Sequence, residues 1–168
     1  MKNLEAKFRL ADLEIARESA LSLGYTERAT LTQRDTFFRV NRGKLKLREE
    51  NGTAVLIYYN RGESGPLMLS NYEIVKVIEP APMLAMMTAA LGTIAVVEKE
   101  RALLMRDNVR FHLDRVATLG NFGEIEAVIP DGDDPEHSRG AANELLAALA
   151  IAAADLIEVS YFEMLARP

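Results

Sequence analysis

Apolar and polar residues alternate along much of the chain, which is the pattern of β-strands that bury one face. Residues 2–10 show it first, with Leu4, Ala6 and Phe8 on one face and Glu5 and Lys7 on the other. The pattern predicts eight strands, over residues 2–10, 30–40, 44–50, 54–61, 68–78, 95–105, 108–116 and 122–129. Eight strands are enough to close a barrel.

Helical segments interrupt the strands. Asp12 can cap the first of them, and Gly24 and Gly92 stand where the first two should end, since glycine readily adopts the left-handed conformation there. A chain of this length and pattern is typical of one domain, here 1–168, in the antiparallel-rich α+β class. The predicted helices cover residues 13–23, 82–91, 134–154 and 160–166.

The polar faces of the strands carry many groups that can bind anions or metals. On any single strand, a solvated outer face is the commoner explanation of such charges. Six strands of this kind, several with apolar opposite faces, favour charged faces turned inward, beneath a covering of helices. An interior of this kind must be wet and must hold a highly charged guest. The sets are Glu5 with Lys7; Lys44, Lys46 and Arg48; Tyr59 with Arg61; Lys99 with Arg101; Arg110, His112 and Asp114; and Glu124 with Glu126.

A polyphosphate fits this chemistry. Arginine binds phosphate oxygens with two parallel hydrogen bonds, and lysine adds point charges. The carboxylates would repel phosphate unless Glu5, Glu124 and Glu126 held a hard divalent ion, Mg²⁺ or Mn²⁺. The cations that could together neutralise a triphosphate are Lys7, Lys46, Arg48, Arg61, Lys99, Arg101 and Arg110.

Composition argues against several other classes of function. The net charge of −5 disfavours general nucleic-acid binding, and the absence of cysteine excludes disulfides and thiol nucleophiles. The longest uncharged apolar stretch, 145–154, is far shorter than the roughly twenty residues that cross a bilayer. Charges at Glu5, Lys7 and Arg9 argue against a signal peptide. We therefore expect a cytoplasmic protein with neither a nucleic-acid nor a membrane partner.

Several segments, in order, resemble the CYTH superfamily, also called triphosphate tunnel metalloenzymes. This superfamily includes class IV adenylyl cyclases, thiamine triphosphatases and inorganic triphosphatases. The first segment, Asn3 to Lys7, is similar to the family's Glu-x-Glu-x-Lys strand, and Asp35 to Phe38 is similar to its Asp-Thr-Tyr-Phe segment. The other matching segments are 45–49, 59–61, 97–101, 109–114 and 123–126.

The resemblance implies an eight-stranded antiparallel tunnel, with helices packed outside, that binds a triphosphate and a divalent metal. It implies catalytic roles for Lys7, which would contact phosphate or position the attacking water, and for Asp114, as a further ligand or a water-orienting group. By the same resemblance, the metal ligands are Glu5, Glu124 and Glu126, and the phosphate ligands are Lys46, Arg48, Arg61, Lys99, Arg101 and Arg110.

Some residues depart from the family pattern or lack a clear role. Asn3 stands where the family has its first Glu; an amide oxygen can ligate a cation but adds no charge, so the number of metals stays open. We interpret His112 as a hydrogen-bonding lining residue rather than a metal ligand, and Glu73 as a weak lining candidate. Tyr161 should pack the last helix or close the tunnel, and His137 should be solvated.

Three functions are compatible with the sequence. The leading one is metal-dependent hydrolysis of an inorganic, nucleoside or thiamine triphosphate. The alternative is a class IV adenylyl cyclase that forms cyclic AMP and pyrophosphate from ATP, and a further one is a non-catalytic polyphosphate-binding module. The motifs do not separate them, because each function needs the same charged clamp. A homodimer through an outer helix or strand also stays open.

Overall fold

Eight antiparallel strands form a closed barrel in this computed structural model, which describes residues 2–61, 68–129 and 135–165. In chain order they are β1 (Lys2–Arg9), β2 (Thr26–Phe38), β3 (Lys44–Glu50), β4 (Thr53–Arg61), β5 (Met68–Val77), β6 (Thr93–Arg106), β7 (Val109–Val116) and β8 (Gly120–Ile129). Around the barrel the order is β1, β5, β4, β3, β2, β6, β7, β8, and β8 pairs back onto β1. The predicted α+β barrel is confirmed.

Strand β2 begins at Thr26 and not at residue 30 as predicted. The reason is its partner, because β6 is long enough to pair Thr26 with Met105. The alternation alone did not show this extension, since a register shift between Glu27 and Ala29 breaks the two-residue period.

Four helices lie outside the barrel in the described residues: α1 (Leu13–Ser22), α2 (Pro80–Leu91), α3 (Pro135–Ala148) and α4 (Tyr161–Leu165). Asp12 caps α1 as predicted, accepting hydrogen bonds from the backbone N–H groups of Glu14 and Ile15. Asp134, the predicted start of the third helix, lies outside the described residues. Within the described chain no helix combines the length and the apolar character that a membrane crossing needs.

The prediction that the third helix continues to Ala154 is wrong. α3 ends at Ala148, Ala150 takes a left-handed conformation with φ 54°, and Ala153–Asp155 forms a separate 3₁₀ turn. The alanine-rich composition favours helix, but the chain must turn back to β1, where the Ile157 N–H donates to the Lys7 carbonyl over 2.7 Å.

The apolar faces of the strands lie on the outside of the barrel, beneath the helices. The buried rings of Phe8 and Phe111 stack there with their centroids 6.4 Å apart. Ala16 and Ala20 of α1 and Leu145 of α3 belong to the same apolar cluster. Because this outer cluster supplies apolar burial, the barrel interior can be given over to polar groups.

Candidate functional site

The inward faces of the strands line a cavity of about 270 Å³. This is near the lower end of the roughly 300–1,000 Å³ typical of small-molecule sites, so the interior suits a compact guest. Most of the residues singled out in the sequence meet here. The charged lining residues are Glu5, Lys7, Asp35, Lys46, Arg48, Lys99, Arg101, Arg110, Glu124 and Glu126, and Asn3, Tyr59, Tyr72, Ser160 and Tyr161 complete the polar lining.

Asp35 organises three cations on one wall of the cavity. It lies opposite Arg48 in the β2–β3 register, and its carboxylate accepts two hydrogen bonds from Arg48, each 2.7 Å long. The Nζ atoms of Lys46 and Lys99 donate to the same carboxylate over 2.8 and 3.1 Å. Asp35 is only 1% exposed, so one buried carboxylate is shared by three cationic side chains.

Burial opposes charge throughout this group. It would raise the pKa of Asp35, but the charges of Lys46, Lys99 and Arg48 hold that pKa well below its usual range. Burial and the neighbouring Arg48 charge lower the pKa of Lys46 to about 7, and burial also lowers the pKa of Lys99. Asp35 alone therefore does not neutralise the three cations on this wall, and a bound anion would add the missing negative charge.

Asp35 belongs to a segment that resembles the family, but the sequence alone indicates no role for it. The signal was present, because alternation along residues 30–40 puts Asp35 on the same face as Gln33 and Phe37. What the sequence did not show was the register that brings Asp35 to Arg48 across β3.

A second charged group is built around Arg101, which lies on β6 two residues after Lys99 and on the same face. Its guanidinium donates two hydrogen bonds of 2.6 Å to Asp114 and a third, also of 2.6 Å, to Glu124. The Nζ of Lys7 lies 2.9 Å from the other oxygen of Glu124. Burial would raise the pKa of Glu124, but the charges of Lys7 and Arg101 hold it well below its usual range. Both carboxylates therefore stay ionised near neutral pH.

Tyr161, at the start of α4, closes part of the cavity wall. Its hydroxyl donates to Asp114 over 2.8 Å, and its ring packs edge-on against Phe122 with centroids 5.0 Å apart. The Nζ of Lys7 lies 4.4 Å from the ring centroid, a cation–π arrangement. The side chain thus packs the last helix and bounds the cavity, both of which were considered from the sequence.

The last helix is fixed to the barrel by Lys44 of β3. Its Nζ donates to Glu163 over 3.0 Å and to the Ser160 hydroxyl over 3.2 Å. Ser160 caps this helix through its backbone, because its N–H donates to Glu163 over 2.7 Å and its carbonyl accepts from the Met164 N–H. Partial burial would raise the pKa of Glu163, but the hydrogen bonds from Ser160 and Lys44 lower it to about 2.

The carboxylates predicted to hold a metal are neighbours in the barrel. Glu5 of β1 lies opposite Glu126 of β8 in register, and Glu124 is two residues from Glu126 on the same face. Buried side-chain atoms nearby lack hydrogen-bond partners among the described residues, namely Asn3 Oδ1 and His112 Nδ1. Divalent cations bind oxygen ligands, which the three carboxylates and the unpaired amide oxygen can provide. The residues present therefore fit a metal.

Some predicted residues stand apart from this arrangement. Glu73 is exposed and does not line the cavity, so that prediction is wrong; its neighbours Tyr72 and Ile74 line the cavity instead, because the strand presents its even-numbered residues inward. The side chains of Arg61 and His137 lie outside the described residues. The hydrogen bond expected of His112 is not formed by its Nδ1 atom among the described residues.

Comparison with known proteins places the chain by family and by fold. A family model described as the CYTH domain matches residues 1–161. None of the curated proteins matches the sequence.

Among solved structures, the PH1012 protein of Pyrococcus horikoshii OT3 is similar over 96% of this chain and 98% of its own, with 22% identity and a TM-score of 0.86. A candidate adenylate cyclase from Vibrio parahaemolyticus is similar over 98% of each chain, with 18% identity and a TM-score of 0.77. The Pct1 RNA triphosphatase of Schizosaccharomyces pombe covers 88% of this chain and 78% of its own, with 11% identity and a TM-score of 0.52.

Proposed function

Because the chain belongs to the CYTH family, we propose that it binds a triphosphate inside the barrel and hydrolyses it with a divalent metal. One observation carries the proposal: cationic side chains outnumber acidic ones, six to four, along the described lining of the barrel cavity. A positive interior is costly unless an anion neutralises it. The triphosphate groups are the part of the substrate that this interior recognises.

The cations retain hydrogen-bonding capacity for such a guest. A guanidinium carries five N–H donors, and Arg48 uses two of them on Asp35. Lys46 and Lys99 share that same carboxylate, so each keeps further donors for phosphate oxygens. Arg101, Lys7 and Arg110 also line the cavity. Cationic side chains from β1, β3, β6 and β7 can therefore contact the polyphosphate together.

Glu5, Glu124 and Glu126 would hold the metal, with the Asn3 amide as a neutral oxygen donor. When bound, a divalent ion neutralises phosphate charge and makes phosphorus more electrophilic. Arg101 and Lys7 both pair with Glu124, so they fix one of these ligands in place. This arrangement orients the ligands before the substrate arrives.

Asp114 and Lys7 would position the attacking water. Asp114 stays ionised, because burial would raise its pKa but Arg101 keeps it below its usual range. Asp114 is fully buried and accepts hydrogen bonds from Arg101 and Tyr161, and a remaining lone pair of its carboxylate would accept a hydrogen bond from the water and orient it toward phosphorus. A bond forms between the water oxygen and the terminal phosphorus while the bridging P–O bond breaks, its electron pair goes to the oxygen of the diphosphate leaving group, and a proton of the water is released to solvent, which leaves orthophosphate and diphosphate. Most of the catalysis would come from positioning and charge neutralisation.

The test is a panel of tripolyphosphate, ATP and thiamine triphosphate with Mg²⁺ or Mn²⁺, in which each product is identified. Orthophosphate supports hydrolysis, whereas cyclic AMP with pyrophosphate supports the cyclase. Tight binding with no product supports a polyphosphate-binding module. Glu126→Gln should abolish turnover, and Glu100→Gln, which changes an exposed carboxylate on the outer face of β6, should leave it unchanged.

A further inference from the structure

His112 lies among carboxylates on the inner face of β7. In the register with β8 it is opposite Glu124, and Glu126 follows two residues later on the same face. Its Nδ1 atom is 3.6 Å from Glu124 Oε2 and 3.8 Å from Glu126 Oε1. One ligand atom from each residue can be chosen so that all lie within 4.8 Å of one another.

These separations are close to those of ligands that share one cation. Ligand atoms about 2.1 Å from a metal are about 3 to 3.5 Å apart in octahedral or tetrahedral arrangements. The two distances from Nδ1 exceed a hydrogen bond and are slightly longer than that range, and all the chosen ligand atoms lie within 4.8 Å of one another. A small movement of the side chains would bring the three residues around a single ion.

The burial of His112 adds an independent observation. Its side chain is 7% exposed, yet Nδ1 has no hydrogen-bond partner among the described residues. Buried polar atoms without a partner are rare in folded proteins, because their lost hydration is not replaced. In the tautomer that carries its proton on Nε2, the Nδ1 atom presents a lone pair toward the carboxylates. A cation between them would satisfy it.

The carboxylates can still accept such a cation. Glu124 pairs with Lys7 through one oxygen and with Arg101 through the other, but a carboxylate has about four lone-pair positions. Glu126 has its ion pair with Arg110 at 3.8 Å, which is longer than those contacts. Glu126 therefore provides the less committed oxygen ligands of the two.

We propose that His112 adds a nitrogen ligand to the divalent ion assigned to Glu5, Glu124 and Glu126, an inference that rests on the proposed metal-dependent function. Imidazole nitrogen suits first-row transition ions, whereas Mg²⁺ prefers oxygen ligands throughout. Asn3 beside this site is a neutral amide where the family has a glutamate. The residues around the ion therefore carry one negative charge fewer. His112 thus makes the tunnel selective for Mn²⁺ or Co²⁺ over Mg²⁺.

The test detects nitrogen coordination directly, without substrate. The full chain is loaded with Mn²⁺ alone, and electron spin echo envelope modulation is recorded for coupling to ¹⁴N. The chain has only two histidines, so two variants assign the signal. We expect imidazole coupling in the wild type and in His137→Gln, whose substitution lies on α3 outside the barrel, and its loss in His112→Gln. Labelling the histidines with ¹⁵N should replace the ¹⁴N coupling of the wild type with ¹⁵N coupling. This tests histidine ligation even if His112→Gln does not fold.

Affinity for the metal tests selectivity. His112→Gln should weaken Mn²⁺ binding at least about tenfold and change Mg²⁺ binding by less than about twofold. Wild-type protein without ¹⁴N coupling, or coupling that persists in His112→Gln, would overturn the inference. The two proposals fail separately. Nitrogen-coordinated Mn²⁺ in a protein that hydrolyses no triphosphate contradicts only the proposed function, and hydrolysis without nitrogen coupling contradicts only the role of His112.

Discussion

Lys46 and Asp35 form an ion pair 2.8 Å long inside the barrel, where Arg48 and Lys99 bind the same carboxylate. The Nζ of Lys46 also lies 5.4 Å from the ring centroid of Phe37 and 5.7 Å from that of Tyr59. One carboxylate does not offset burial and two neighbouring cations, so the pKa of Lys46 falls to about 7. Lys46 should therefore take up a proton when the tunnel binds an anion.

The first prediction concerns pH. Above about pH 7 Lys46 is neutral in the free protein, and a bound triphosphate restores its charge. Binding of tripolyphosphate without metal should therefore take up a proton, and its affinity should fall by up to about tenfold per pH unit above 7 from this group. Calorimetry in buffers of different ionisation enthalpy measures the uptake.

Lys46→Arg is the matched control, because arginine stays charged at every pH used. Subtracting its pH profile removes the protonation of tripolyphosphate itself. Wild-type and Lys46→Arg profiles that coincide between pH 7 and 9 would contradict the prediction.

The second prediction concerns Asp35→Asn. Removing one partner of a buried ion pair leaves uncompensated charge, so the free energy of unfolding should fall by about 3–5 kcal/mol. Because the guest then supplies the missing negative charge, tripolyphosphate should raise the melting temperature of Asp35→Asn more than that of the wild type. Thermal unfolding with and without tripolyphosphate measures both effects. Glu98→Gln, at an ion pair exposed on the outer face, should change stability by no more than about 1 kcal/mol.

The third prediction concerns the packing of β1 against β8. A Cβ atom at Gly123 would clash with a ring carbon of the fully buried Phe8. Gly123→Ala should therefore destabilise the protein by about 1–3 kcal/mol through overpacking. Gly140→Ala in α3 meets no atom within 4 Å and should be neutral or stabilising by up to about 1 kcal/mol. Equal denaturant midpoints for the two variants would refute this account of the packing.

The fourth prediction concerns Tyr161→Phe, which keeps the ring and removes the hydrogen bond to Asp114. Stability should fall by about 0.5–1.5 kcal/mol, the usual net value of one hydrogen bond. If Asp114 orients the attacking water, kcat should fall while KM changes little. Steady-state kinetics on the substrate found by the panel separates the two constants. An increase in KM alone would assign Tyr161 to substrate binding instead.

Strand periodicity predicted much of the interior, because charge alternation on a strand directly reports which residues share a face. Lys46 and Arg48 on β3 and Glu124 and Glu126 on β8 all reach the cavity as their alternation indicates. The prediction that Glu73 lines the cavity was wrong because β5 carries few charges. The inward face of this strand could therefore not be identified from the sequence alone.

Contacts between distant segments could not be predicted in this way. The sharing of Asp35 by three cations depends on pairing β2 with both β3 and β6, which the local pattern does not specify. The position of His112 beside Glu124 likewise depends on the β7–β8 register. The end of α3 was missed because the return of the chain to β1 overrides helix propensity.

Titration of tripolyphosphate into matched arginine variants tests most directly whether the barrel interior is the binding site. Arg48 of β3 faces inward and binds Asp35, whereas Arg34 of β2 is exposed on the outer face. We predict that the wild type binds at a single saturable site, that Arg48→Gln weakens binding by at least about tenfold, and that Arg34→Gln leaves it unchanged. An absence of binding, or an equal loss in both variants, would contradict the account.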